Sequence, residues 1–78
     1  MPTVLRAGPY NFIFFSSDQG EPVHIHIKRD RQIAKFWLDP IAVAYNRGFP
    51  ERELNQIERL VIEHQQTLVE KWHDYFGA

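Results

Sequence analysis

The stretch Glu21-Pro22-Val23-His24-Ile25-His26-Ile27-Lys28 decides how the chain is read. Successive side chains of a β-strand point to opposite faces, so Val23, Ile25 and Ile27 share one face. His24, His26 and Lys28 then share the other. Apolar β-branched residues on one side and ionisable ones on the other mark an antiparallel strand with its core on one side. Each neighbouring segment can be placed against those two faces.

Upstream, Tyr10 to Phe15 is aromatic and β-prone, with Phe12 and Phe14 on one face and Ile13 and Phe15 on the other. Apolar residues on both faces imply that part of this strand is covered twice. The polar run Ser16-Ser-Asp-Gln-Gly20 reads as the turn that joins it to the histidine strand in a hairpin. Met1 to Arg6 can extend as an edge strand or stay loose, and Ala7-Gly8-Pro9 interrupts it. Downstream, Arg29-Asp-Arg-Gln32 is a second polar turn, and Ile33 to Leu38 is a third strand. Ala34, Phe36 and Leu38 form its cleaner apolar set and belong with Val23, Ile25 and Ile27. That places Lys35 and Trp37 on the side of the histidines. Asp39-Pro40 and the following Ile-Ala-Val-Ala-Tyr-Asn46 admit two readings. Asp39 as N-cap, Pro40 in the first turn and Gly48 past the end make a short helix, the preferred reading. Alternation of Ile41, Val43 and Tyr45 makes a fourth strand instead.

Pro50 to Phe76 reads as one long helix, its apolar stripe running through Leu54, Ile57, Val61, Leu68 and Trp72. Glu51, Glu53 and Glu58 sit early, where the helix dipole favours them, and Gly77 can end it. The expected fold is α+β: a three-stranded antiparallel sheet, four-stranded if 40–46 is extended, packed on this helix. Residues 1–78 make a single domain, with a β-meander over about 10–38, a connecting element over 39–49 and the helix over about 50–76. The helix would be about 40 Å long and the strands about 20 Å. Its last turns, with Trp72, Tyr75 and Phe76, therefore overhang the sheet and are expected to meet a partner or the chain's own N-terminus.

A chain of 78 residues is near the lower limit for a self-sufficient core, and it has no cysteine to supply a disulfide or a thiolate metal site. Its two Trp, three Tyr and six Phe must carry the packing, and association with a second subunit is the other usual support. No apolar run approaches membrane-spanning length, and Met1-Pro-Thr-Val-Leu-Arg6 lacks a signal-peptide core, so a cytoplasmic setting is expected. A net charge of -1 gives no global attraction to nucleic acid. The distribution is uneven: residues 1–48 hold six Lys/Arg against four Asp/Glu, and 49–78 hold three against six.

Two imidazoles on one strand face lie about 7 Å apart at the backbone. They can act as an acid–base pair or contribute two ligands to a divalent transition metal, with Glu21, Asp39 or His64 as unplaced candidates for a third. No His-Glu-x-x-His or other complete ligand set is present, and no cofactor is otherwise implied. Packed or paired structural histidines are the plainer reading. His64 falls at the margin of the helix stripe and reads as half-buried, His73 as solvated. Lys28, Arg29, Arg31 and Lys35, with Trp37 nearby, could hold phosphates while the ring stacks a base, or could simply be a solvated face. Removal of Met1 would free Pro2 as a secondary amine able to act as a base, but the β-α-β order of small tautomerases is lacking here.

Met1-Pro-Thr-Val-Leu-Arg6, Glu21-Pro-Val-His24-Ile-His26-Ile, Ala34-Lys-Phe-Trp-Leu-Asp-Pro40, Asn46-Arg-Gly-Phe49, Glu53-Leu54, Glu63-His64 and Trp72-His73 together resemble a small bacterial family catalogued as domain of unknown function 4160. Pro50 departs from that resemblance, which leads one to expect Ser in a capping box with Glu53; proline keeps the helix start and loses the side-chain cap. The resemblance implies a component of a toxin–antitoxin-like module with a small protein partner encoded nearby, RNA or DNA as a target, and assembly as a homo- or hetero-oligomer. It supplies no catalytic residues. One expectation is therefore an interaction protein that binds its partner through the helix end and the His/Lys/Trp face. The alternatives are a ribonuclease-type toxin using His24 and His26, with Lys28 or Arg31 stabilising phosphate charge, or a metal-binding protein.

Overall fold

A computed structural model of the chain describes residues 3–15 and 19–77. The expected turn at Ser16 to Gly20 falls partly outside them, and so does Pro2. Five strands precede one helix: β1 (Thr3–Ala7), β2 (Tyr10–Ile13), β3 (His24–Arg29), β4 (Gln32–Leu38), β5 (Ile41–Arg47) and α1 (Glu51–Phe76). The strands form an antiparallel meander in the order β1-β2-β3-β4-β5. The architecture is α+β, with more strands than the three or four expected. Thr3 to Ala7 takes the edge-strand alternative and pairs with β2.

Residues 41–47 are a strand, which corrects the short-helix reading. Local signals at Asp39-Pro40 fit a helix start, but they cannot register what β4 offers next door. Leu38, Trp37 and Phe36 pair with Ile41, Ala42 and Val43 across a two-residue connection that contains a cis Asp39–Pro40 peptide. β-Branched Ile41 and Val43 fit a pleated surface better than a two-turn helix without an apolar stripe. A bulge at Ala44 then shifts the register, and Tyr45 falls opposite Lys35. Gly48 follows with φ +99, and a Cβ there would stand 3.0 Å from Gln32 Cγ, so both backbone and space call for glycine.

The helix lies on the face that carries Tyr10, Phe12, Phe14, Ile25, Ile27, Ala34, Phe36 and Leu38, all buried. Ile57, Val61, Leu68 and Trp72 are the buried positions of its stripe. At about 1.5–3 kcal/mol for each large apolar side chain removed from water, this layer is the main stabilising term. Pro50 makes no side-chain cap, as its ring dictates, while Gly77 closes the helix in the left-handed conformation with its N–H donating to the His73 carbonyl. Among the described residues no helix is long and apolar enough to cross a membrane.

Candidate functional site

The face away from the helix is built from strand parity. His24 stands opposite Trp37 and His26 opposite Lys35, while Ile13 is opposite His26 and Tyr45 opposite Lys35. The sequence-predicted His24, His26, Lys35 and Trp37 are therefore brought together, and Tyr45 and Phe15 join them. The two imidazole rings meet edge to face at 5.2 Å between centroids. Phe15 packs on His26 at 4.4 Å, and His24 touches Trp37 at 5.6 Å and Trp72 of α1 at 5.0 Å. Both histidines are buried. A carbonyl only accepts, so His24 Nδ1 donates its hydrogen to the Pro22 carbonyl 2.8 Å away. An acid–base role on a polymer would require the groups above these rings to move aside.

Lys35 reaches from this face to Glu21 at 2.5 Å and lies 4.6 Å from the centre of the Trp37 ring. The Lys35 hydrogen bond is the first cause holding the Glu21 carboxyl below the usual carboxylate range; Lys35 charge adds to it, and His24 and His26 add less. Arg47 lies 5.3 Å from the centre of the Tyr45 ring.

The other predicted basic residues do not share one place. Arg29 follows Ile25 and Ile27 to the helix side, where its Nη2 donates to Glu53 Oε1 at 3.0 Å and to Gln32 Oε1 at 2.8 Å. Tyr10 donates its hydroxyl hydrogen to Glu53 Oε2 at 2.8 Å, and Gln32 donates to the Gly48 carbonyl at 2.8 Å. Burial, then the Glu53 contact, raises the Tyr10 hydroxyl pKa. Tyr10, Arg29, Pro50, Arg52, Glu53 and Gln56 line an open cavity of about 310 Å³ beside the start of α1. Tyr10, Gln32 and Glu53 were not singled out in the sequence as members of a network. The signal was available for Arg29, whose strand parity matches Ile27. Lys28 and Arg31 are exposed, Lys28 on the histidine face and Arg31 in the β3–β4 turn.

Of the three aromatics expected at an interface, Trp72 is spent internally against Phe14 at 5.4 Å and against His24. Phe14, just past β2, and His24 of β3 thus cover it. Phe76 is half-buried on Trp72 and Tyr75 is exposed. His64 is half-buried, with its Nε2 3.2 Å from Glu63 and its ring against Phe12. Among the described residues no three His, Cys, Asp or Glu side chains come together as a group able to hold a metal ion.

A family model described as a domain of unknown function (DUF4160) matches residues 10–73. The chain belongs to that family. In this DUF4160 protein the matched span begins with the first residue of β2 and closes in the last turn of α1, so it holds both the histidine face and the Tyr10–Arg29–Glu53 network. No curated protein and no solved structure matches the chain.

Proposed function

We propose that this chain is a non-catalytic binding component of a bacterial toxin–antitoxin-like module in the cytoplasm, and that it holds a small protein partner along the open edge of β5. The observation that carries this reading is the make-up of that edge. β5 is seven residues long, pairs with β4 on one side only, and has Arg47 as its one charged residue. Val43, opposite buried Phe36, is 41% exposed, and Ile62 of α1 is 56% exposed. Gln65, three residues after Ile62, donates to the Leu38 carbonyl at the end of β4, so this flank of the helix faces the β4–β5 side. A partner segment added as a sixth strand takes up the unpaired backbone groups of β5, and its apolar side chains fill the step between Val43 and Ile62. The bulge at Ala44 bends the edge and disfavours straight pairing with a second copy, which favours a heteromer.

Co-expression with the small protein encoded beside this chain, followed by size-exclusion chromatography, tests the proposal. A stable complex with the parent is expected, with at least tenfold weaker association for Val43→Lys and for Ile62→Glu. An undiminished complex with both variants would overturn the assigned surface.

A further inference from the structure

The pairing register places five residues in one line across the face away from the helix. Arg6 stands opposite Asn11, Asn11 opposite Lys28, Lys28 opposite Ile33, and Ile33 opposite Arg47. Directly opposed residues of antiparallel strands share a face, so Arg6, Lys28 and Arg47 project from β1, β3 and β5 on the same side. All three are exposed, and exposed Arg31 stands in the turn just beyond the row, next to Asp30. The five strands contain no Asp or Glu. Of their other cations, Arg29 is paired with Glu53 on the helix side and Lys35 with Glu21. The row is thus a line of cations without a carboxylate in any strand to neutralise it.

We infer that this row, with Tyr45 and Trp37 beside it, is a binding surface for single-stranded RNA. Neighbouring strands are about 4.8 Å apart, so the cations recur about every 10 Å over a span of about 19 Å. A stacked strand carries one phosphate per roughly 3.4 Å, which matches the row to about six nucleotides. Lys35 and Tyr45 occupy the adjoining line, with exposed Tyr45 offering a ring on which a base can stack, and half-buried Trp37 stands one line further. Asn11, between Arg6 and Lys28, brings a donor and an acceptor to the line of the sugar–phosphate backbone. A ribose 2′-hydroxyl also offers both, which favours RNA over DNA.

Fluorescence anisotropy with a labelled twelve-nucleotide oligouridine at several salt concentrations tests this. Three phosphate contacts predict that log affinity falls against log salt with a slope of about -2. Arg6→Gln/Lys28→Gln/Arg47→Gln should lose at least tenfold in affinity and flatten the slope, whereas Arg52→Gln/Arg59→Gln on α1 should change neither. Tyr45→Ala should weaken binding about tenfold with the slope kept. Absence of binding, a triple variant that binds like the parent, or a matched DNA strand held equally well would overturn the inference. Should the triple variant not fold, Lys28→Gln alone decides, through a slope shallower by about 0.7. Val43→Lys and Ile62→Glu lie outside the row and should bind RNA unchanged, so partner docking and RNA binding fail separately.

Discussion

The two faces of the sheet are made from the same strands and are held in different ways. On the helix side, Phe12, Phe14, Ile25, Ile27, Ala34, Phe36 and Leu38 are buried against one apolar stripe, and the polar groups at the margin close into the Tyr10–Glu53–Arg29–Gln32 chain. On the other side the helix contributes only Trp72, whose ring lies 5.0 Å from that of His24. Its centre is shielded by contacts between rings, Phe15 on His26 and Trp37 on His24, and its rim carries Arg6, Lys28 and Arg47 in the open. The difference teaches a division of labour. A chain this short buries one face thoroughly, and on the second only the centre is buried, which leaves the rim open to make contacts.

Truncation on each side gives the sharpest test of that division. Phe14 sits against Trp72, Tyr75 and Phe76, so Phe14→Ala opens a void among rings that cannot collapse together. A loss of about 3–5 kcal/mol is expected, enough to unfold much of the population of so small a domain. Trp37→Ala removes a half-buried ring and should cost about half as much. Urea titrations followed by circular dichroism compare the two, and equal losses would show that both faces are core.

An intermediate effect is expected at the margin of the helix side. Glu53 accepts from both Tyr10 and Arg29. Glu53→Ala leaves a buried hydroxyl and a guanidinium without their acceptor and should cost about 1–3 kcal/mol. Tyr10→Phe removes one of the two bonds and should cost about 1 kcal/mol. A Tyr10→Phe loss as large as that of Glu53→Ala would mean that Arg29 contributes nothing through this carboxylate.

Much of this division was legible in the residues. Period-two alternation from Val23 to Lys28 and from Ile33 to Leu38 gave both faces and put Lys35 and Trp37 with the histidines. Three features lay beyond it for physical reasons. Asp39-Pro40 carries helix-start signals that compete with the alternation of Ile41, Val43 and Tyr45, and only pairing with β4 decides for the strand; the bulge that moves Tyr45 opposite Lys35 has no signal in the sequence. Packed histidines are the plainer of several readings of His24 and His26, and what covers them was not legible because the rings concerned, Phe15 and Trp72, come from other segments. The row of Arg6, Lys28 and Arg47 exists only through register, whereas the sequence cluster of Lys28, Arg29, Arg31 and Lys35 is divided between faces once parity is applied.

The smallest effect should come from the ion pair at the rim of the ring cluster, and its pH dependence identifies it. Glu21 is more exposed than Lys35, so solvent screens their interaction and its contribution to stability is small. The Lys35 hydrogen bond nevertheless keeps the Glu21 carboxyl below its ordinary value of 4.5. A carboxyl with a depressed folded-state pKa binds its proton more readily when unfolded. It therefore stabilises the fold above the unfolded value, and that contribution disappears as pH falls through the lower folded value. Measured by urea midpoint, the parent should exceed Glu21→Gln slightly at pH 6 to 7, and the gap should close below about pH 4.5. Lys35→Met should abolish most of that pH dependence while leaving Glu21 in place. A gap that widens towards acid would show that Glu21 is held by something other than the Lys35 ammonium.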